Sequence, residues 1–182
     1  PEKFLPDLQG PQTKGVIDNA AFETLTISPS KQFLFTATES PLFQDDTPAD
    51  FTKGASSRVI RYRLKGTPVA DGEFVYNAEP NLMRPGATLD DDGGNGVSDM
   101  VALSDRELLV IERGGVVIDG QWRQHICLFK AVIQDHATDV SSQASLKEKF
   151  FVPMEKELLI DFDTVIPLLS VPWQSLDNIE GI

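Results

Sequence analysis

Cysteine and histidine are almost absent from this chain. Cys127 is the single cysteine among 182 residues, which excludes an intrachain disulfide and a metal cluster made of cysteines. It stands in the apolar stretch 126–129, so we expect a buried, unreactive thiol. The two histidines, His125 and His136, are too far apart for the paired ligands of a helical zinc site. We therefore expect His125 to be structural.

Basic residues are also scarce. The chain has 16 Lys and Arg against 28 Asp and Glu, a formal net charge of −12. Nucleic acids and anionic membrane surfaces favour clusters of basic residues, so no nucleic-acid partner is expected. No apolar run approaches the roughly 20 residues of a membrane-spanning helix, so no transmembrane segment is predicted. The acidity is compatible with cation binding.

Several catalytic motifs are missing. The chain has no G-x-S-x-G elbow and no glycine-rich phosphate loop, and nothing indicates a Ser-His-Asp triad. The acidic stretch 90–96 departs from the helix-loop-helix calcium pattern, which needs glycine at Asn95 and a carboxylate at Val101. We expect an acidic turn there.

Strand signals dominate what is present. Polar and apolar residues alternate, with many β-branched and aromatic side chains, which predicts an all-β sandwich, barrel or propeller. The first four strands should form one four-stranded unit, with Arg58, Arg61 and Arg63 mostly facing solvent. Gly114 and Gly115 should end the sixth strand. Helical signals are weak and confined to 141–149 and 164–169. The predicted strands cover 24–28, 33–39, 57–64, 72–76, 98–103, 108–113 and 124–131.

Acidic residues mark the ends of these strands. One hairpin opens at Glu23 and closes at Glu39, and a second opens at Asp99 and closes at Glu112. In a propeller the innermost strands converge on one channel, where such carboxylates would hold a hard cation that positions a phosphate ester and activates water. The alternative is that they cap turns and satisfy backbone N–H groups. Arg113 would either pair with Glu112 or clamp a phosphate.

The candidate site residues follow from this pattern. The catalytic candidates are Glu23, Glu112 and Arg113. Calcium or another divalent cation is the expected cofactor, with no organic cofactor. Asn19 and Asn178 would set loop geometry or add ligands. The candidate metal ligands are Asp18, Glu23, Glu39, Asp99, Glu112, Asp177 and Glu180.

Five short segments occur in order along residues 18–182. Together they resemble the family called esterase-like activity of phytase, the phytase-like β-propeller domain. Thr24 departs from the family, which commonly has glycine there. The final Asp-Asn segment opens a strand that the chain does not finish, so we expect a part of something longer. The segments are Asp18-Asn19-x-x-x-Glu23-Thr24-Leu25, Glu39-Ser40-Pro41-Leu42, Glu112-Arg113-Gly114, Ala137-Thr138-Asp139-Val140 and Asp177-Asn178-x-Glu180-Gly181.

The resemblance implies a partial β-propeller of antiparallel four-stranded blades. Residues 1–15 would be a lead segment, and 16–182 the N-terminal part of the phytase-like domain. It also implies hydrolysis of a small-molecule phosphate or other ester by an exported protein, whether periplasmic, extracellular or lumenal. The alternative is a non-catalytic propeller module for binding or scaffolding, which needs the rest of the domain or a second chain to complete the ring.

Overall fold

The structure is a computed structural model that describes residues 2–7, 9–81, 86–88, 93–170, 179 and 181–182. Its regular structure is almost entirely β, as the alternating pattern predicts. No helix in the described part of the chain is long and apolar enough to cross a membrane. The strands are β1 (Thr26–Ile27), β2 (Phe33–Ala37), β3 (Ala55–Arg63), β4 (Val69–Ala78), β5 (Gly93–Ala102), β6 (Glu107–Ile118), β7 (Gln121–Val132) and β8 (Glu155–Asp161). A 3-10 turn covers Glu2–Phe4, and helix α1 (Phe162–Val165) leads into a 3-10 turn over Ile166–Leu168.

The strands form two four-stranded antiparallel sheets. The first has the order β1-β2-β3-β4 and the second β5-β6-β7-β8, so each strand pairs with its neighbour in sequence. Such meanders need only short connections between antiparallel strands. The predicted four-stranded unit of the first four strands is confirmed, and the two predicted hairpins occupy equivalent places in the two sheets.

One hydrophobic core joins the two sheets. Phe35, Val59 and Tyr76 of the first sheet and Met100 and Leu108 of the second are buried in the same cluster. Strand β5 packs against all four strands of the first sheet. Because alternate residues of a strand face opposite sides, each sheet contributes one apolar face to this core.

Several predicted boundaries in the second sheet are wrong. Strand β6 continues through Gly114 and Gly115 to Ile118. Glycine at position 115 leaves room for the ring of Trp122, which a Cβ there would displace. The sequence pattern missed β8, an edge strand that is mostly exposed. Residues 141–149 form turns instead of a helix, whereas α1 and the following turn agree with the helical signal at 164–169.

Arg58 is buried, so the prediction that it faces solvent is wrong. Its guanidinium donates to both carboxylate oxygens of Asp45, from Nε at 2.6 Å and from Nη2 at 2.8 Å, and it also binds Glu73. Lys3 reaches the other oxygen of Glu73 at 3.0 Å. Burial alone would lower the pKa of Arg58, but the bonds to Asp45 and Glu73 outweigh it and raise the pKa. The guanidinium is therefore a buried, fully charged link between β3, β4 and the loop after β2.

Asp139 ties the connection between β7 and β8 to β4. Its Oδ1 accepts the backbone N–H of Glu73 at 3.1 Å and that of Ser141 at 2.9 Å. Burial by itself would raise the pKa of Asp139, but these bonds outweigh it and lower the pKa. The next residue, Val140, is fully buried and packs against Val75.

Candidate functional site

A cavity of about 270 Å³ opens on the second sheet. Its wall combines acidic, amide, imidazole and thiol groups with three apolar side chains, so a small ligand would meet both polar and apolar surfaces there. The lining residues are Glu79, Pro80, Asn95, Glu112, His125, Cys127, Phe129, Leu158 and Asp161.

Three of these side chains converge because of the pairing between β7 and β8. His125 and Cys127 are two residues apart on β7 and therefore share one face of the sheet. Asp161, the last residue of β8, lies directly opposite Cys127 in the register. His125 Nε2 lies 3.3 Å from Asp161 Oδ1 and 3.4 Å from Cys127 Sγ. We call these residues the His-Cys-Asp cluster.

The environment of Cys127 keeps its thiol protonated. Burial raises its pKa to about 12, and the negative charges of Asp161, Glu112 and Asp163 add to the effect. The thiolate is the nucleophilic form, so at neutral pH this thiol on its own is a poor nucleophile. The expected burial of Cys127 is confirmed.

Glu112 is a buried carboxylate that accepts four hydrogen bonds. Oε1 accepts from the Tyr76 hydroxyl at 2.6 Å and the Lys156 ammonium at 2.7 Å. Oε2 accepts from the Asn95 amide at 2.8 Å and the backbone N–H of Glu79 at 2.9 Å. Because a carboxylate offers about four lone pairs, these donors fill it. Glu112 therefore fixes the sheets to one another, since Tyr76 belongs to the first sheet and Lys156 to the second.

Lys156 supplies the positive charge beside the cavity. Its Nζ lies 2.8 Å from Glu79 Oε1 as well as 2.7 Å from Glu112 Oε1. It also lies over the ring of Phe129, 4.3 Å from the centroid. The ammonium thus stands between two carboxylates and an aromatic face, which together hold it in place.

A family model described as phytase-like, esterase-like activity of phytase, matches residues 1–182. The chain belongs to the phytase-like family. No curated protein and no solved structure matches it. The resemblance carried by the five sequence segments is confirmed, and the match supports a hydrolase-like function for this phytase-like chain.

Two of the five phytase-like segments meet where the sheets join. Arg113 Nη2 lies 3.8 Å from Glu39 Oε1, and both side chains are largely buried. The backbone oxygen of Glu39 also accepts from Val97 N at 3.1 Å and from Ser57 Oγ at 2.9 Å. Arg113 lies next to Glu112 on β6 and so faces the opposite side of the sheet. Within the described part of the chain Arg113 lies near the carboxylate of Glu39, a contact that the sequence pattern does not indicate.

The other candidate acids of the phytase-like chain lie in different places. Asp18 and Glu23 are exposed, and Asn19 beside Asp18 has a positive φ of 56° in a tight turn. Asp99 Oδ2 accepts the backbone N–H of Ile182 at 2.9 Å. Asp177 and Glu180 lie outside the described residues, as do 90–92 of the acidic stretch, whose Gly93–Gly96 belong to β5. The acidic ring stays a prediction.

Among the described residues, His125, Cys127 and Asp161 are the one group of three possible metal ligands with ligand atoms within 4.8 Å of one another. Sequence reasoning took the first two as structural and missed the third. A signal was present, since His125 and Cys127 at alternate positions of a predicted strand must share a face. Asp161 could not be added, because its place depends on the pairing of β8, a strand that the pattern did not predict.

Proposed function

We propose that this phytase-like chain forms part of a hydrolase of phosphate or other esters, with the cavity of the second sheet as its substrate site. The observation that carries the proposal is the His-Cys-Asp cluster at the wall of that cavity, where His125 lies within hydrogen-bond reach of Asp161. The family match supports a hydrolase-like function. An imidazole beside a carboxylate is a common acid–base pair for activating water.

In this proposal His125 accepts a proton from the attacking water, whose oxygen bonds to the phosphorus or the acyl carbon. Asp161 stabilises the resulting imidazolium, and the proton then passes to the departing alcohol oxygen as its bond to the ester breaks. Phe129 and Leu158 offer an apolar wall to the organic part of the substrate. Lys156 contributes positive charge near the wall of the cavity.

We further propose that the two sheets are consecutive blades of a β-propeller. Each is an antiparallel meander of four strands, and the first strand of the second sheet packs against the first sheet, as neighbouring blades do. The acidic strand ends and a bound calcium or other divalent cation belong to this proposal. They would come together only around a completed ring.

A non-catalytic binding or scaffold module is the second candidate. It is favoured by Glu112, whose carboxylate is filled by four donors and therefore has a structural task. In that case the cavity would bind a partner or ligand without turnover, and the acids at the strand ends would serve packing.

The two candidates are separated by turnover. The full-length protein is assayed on a chromogenic phosphomonoester and a chromogenic carboxylic ester, with added calcium and after chelation. Replacing His125 with Asn should lower kcat at least about 100-fold, as expected for the loss of a general base. The control is His136→Asn, since His136 is largely exposed and lies 3.9 Å from Glu155. Folded protein that turns over neither ester, or an H125N variant as active as the control, would overturn the hydrolase proposal.

A further inference from the structure

The geometry of the His-Cys-Asp cluster differs from that of a nucleophilic triad. In a nucleophilic triad the thiol and the carboxylate occupy the two different ring nitrogens of the histidine. Here Cys127 Sγ and Asp161 Oδ1 both approach the same nitrogen, Nε2, at 3.4 and 3.3 Å. Three donor atoms thus point toward one small volume at the wall of the cavity.

We propose that His125, Cys127 and Asp161 bind one divalent transition-metal ion of the zinc class. Zinc sites take nitrogen, sulfur and carboxylate oxygen at about 2.0–2.3 Å, which in a tetrahedron separates nitrogen from oxygen by about 3.4 Å and nitrogen from sulfur by about 3.6 Å. The observed separations of 3.3 and 3.4 Å are within a few tenths of an ångström of these values. All three ligand atoms lie within 4.8 Å of one another, whereas sulfur and oxygen in such a tetrahedron are about 3.6 Å apart. Binding therefore needs side-chain movements on the order of 1 Å.

The donor set selects the metal. Thiolate and imidazole favour zinc, cobalt and related ions, whereas calcium and magnesium take oxygen ligands. This site is therefore distinct in chemistry from the acidic ring that the sequence predicts. Binding would replace the proton of the Cys127 thiol with the metal and release that proton to solvent. With a neutral imidazole, a thiolate and a carboxylate, the charge of a divalent ion is fully balanced.

Neighbouring groups already orient the ligands. Asp161 Oδ1 accepts the backbone N–H of Asp163 at 2.9 Å at the start of α1, which fixes the rotation of the carboxylate. His125 and Cys127 both pair with β6, and Cys127 also pairs with Asp161 of β8. Ligands on rigid elements with such support lose little freedom when a metal binds.

A fourth coordination position would face the cavity, where it would hold a water or an ester oxygen. A metal-bound water is a stronger nucleophile at neutral pH than free water. In this respect the inference rests on the proposed function and deepens it, since the metal would then take over the activation of water from His125.

The test measures binding rather than turnover. Metal-free full-length protein is titrated with Co²⁺, followed by zinc competition and a metal count by mass spectrometry. We expect one ion per chain, a sulfur-to-cobalt charge-transfer band and the visible bands of tetrahedral cobalt. C127S should remove the charge-transfer band and weaken zinc binding by more than the roughly 10- to 100-fold typical of changes outside the ligand set. His136→Asn should bind as the unchanged protein does.

The outcomes separate the two proposals. A protein that binds no cobalt, or a folded C127S variant that keeps the band, overturns the metal site. If C127S fails to fold, H125N and D161N are titrated instead, because both side chains are partly exposed. Each should weaken cobalt and zinc binding, and affinities equal to those of the unchanged protein would overturn the site. Zinc binding without ester turnover supports the metal site and overturns the proposed function. Ester turnover by a metal-free protein that binds no zinc supports the proposed function and overturns the metal site.

Discussion

Removing the Arg58 side chain should unfold this protein far more readily than removing any exposed arginine. Arg58 and Asp45 are both fully buried, and the guanidinium donates twice to Asp45 and also binds Glu73. In Arg58→Met, Lys3 still neutralises Glu73 at 3.0 Å. Among the described residues, Asp45 would keep the backbone N–H of Leu146 at 2.9 Å as its remaining donor. A buried carboxylate would be left without a cation.

The expected cost is about 3–5 kcal/mol, the range measured when one partner of a buried ion pair is removed. For a chain of this size it corresponds to a fall in Tm of roughly 6–20 °C. The assay is urea unfolding followed by circular dichroism, with thermal melting as a second readout. The matched control is Arg63→Met, because Arg63 is half exposed where it pairs with Asp71 and should cost at most about 1 kcal/mol.

A double variant tests the cause. If the loss of stability comes from the unpaired buried charge of Asp45, adding Asp45→Asn to Arg58→Met should restore a measurable part of the lost free energy of unfolding. The reasoning is refuted if Arg58→Met costs no more than Arg63→Met. It is also refuted if the second change only adds further instability, since the loss would then come from packing around the side chain.

Three further predictions concern contacts between separate parts of the fold. Gly96→Ala should lower the free energy of unfolding in urea by about 1–3 kcal/mol, because a Cβ there would lie 2.8 Å from Glu39 Cγ and 2.9 Å from Glu39 O. The control is Gly94→Ala, whose added Cβ would lie 3.6 Å from its nearest neighbour and should change stability little. Equal losses in the two variants would contradict the steric argument. Glu112→Gln should cost about 1.5–3 kcal/mol, the range for hydrogen bonds to a charged group, and an unchanged unfolding midpoint would contradict its structural role. Because the pKa of Asp139 is lowered in the folded protein, its carboxylate contributes stability above about pH 4, and this contribution is lost as the pH falls further. Between pH 6 and pH 3 the free energy of unfolding should therefore fall less steeply in Asp139→Asn than in the unchanged protein. Equal slopes for the two proteins would contradict this.

The strand meander could be predicted because several strands bury alternate residues. In β2 and in the second halves of β5 and β7 alternate residues are buried, and this period is visible in the sequence. Strand β8 gave no such signal, because at the edge of a sheet most of its side chains are exposed. It is placed by its backbone pairing with β7, which depends on tertiary structure and not on local pattern.

Arg58 shows the second limit of pattern reading. Because neighbouring residues of a strand point to opposite faces, Arg58 lies on the face opposite to that of Val59. In a sheet that is covered on one side only, the face of Arg58 would be exposed to solvent. Here the loop that carries Asp45 and the connection that carries Leu146 cover that face as well. Charge pairing across such a layer depends on which loops meet there, and one sequence does not reveal it.

The candidate site could be predicted only in part. The pattern of strand-end acids singles out Glu112 with several others, and the structure shows it buried at the cavity wall. Its four donors come from three parts of the chain: the end of β4 with the residue after it, β5 and β8. His125 and Cys127 could have been paired from their spacing. Their carboxylate partner Asp161 could not, because it lies 34 residues beyond Cys127 on the unpredicted strand β8.

The shared core has a practical consequence for anyone who trims or divides this protein. Phe35, Tyr76 and Met100 pack in one cluster, so the largest apolar core of the described residues is shared by the two sheets. A cut between β4 and β5 would expose the hydrophobic surface through which the two sheets pack. Each half would then be expected to self-associate during expression. Useful boundaries for expression trials therefore lie outside the pair of sheets, and the two sheets should be handled as one piece.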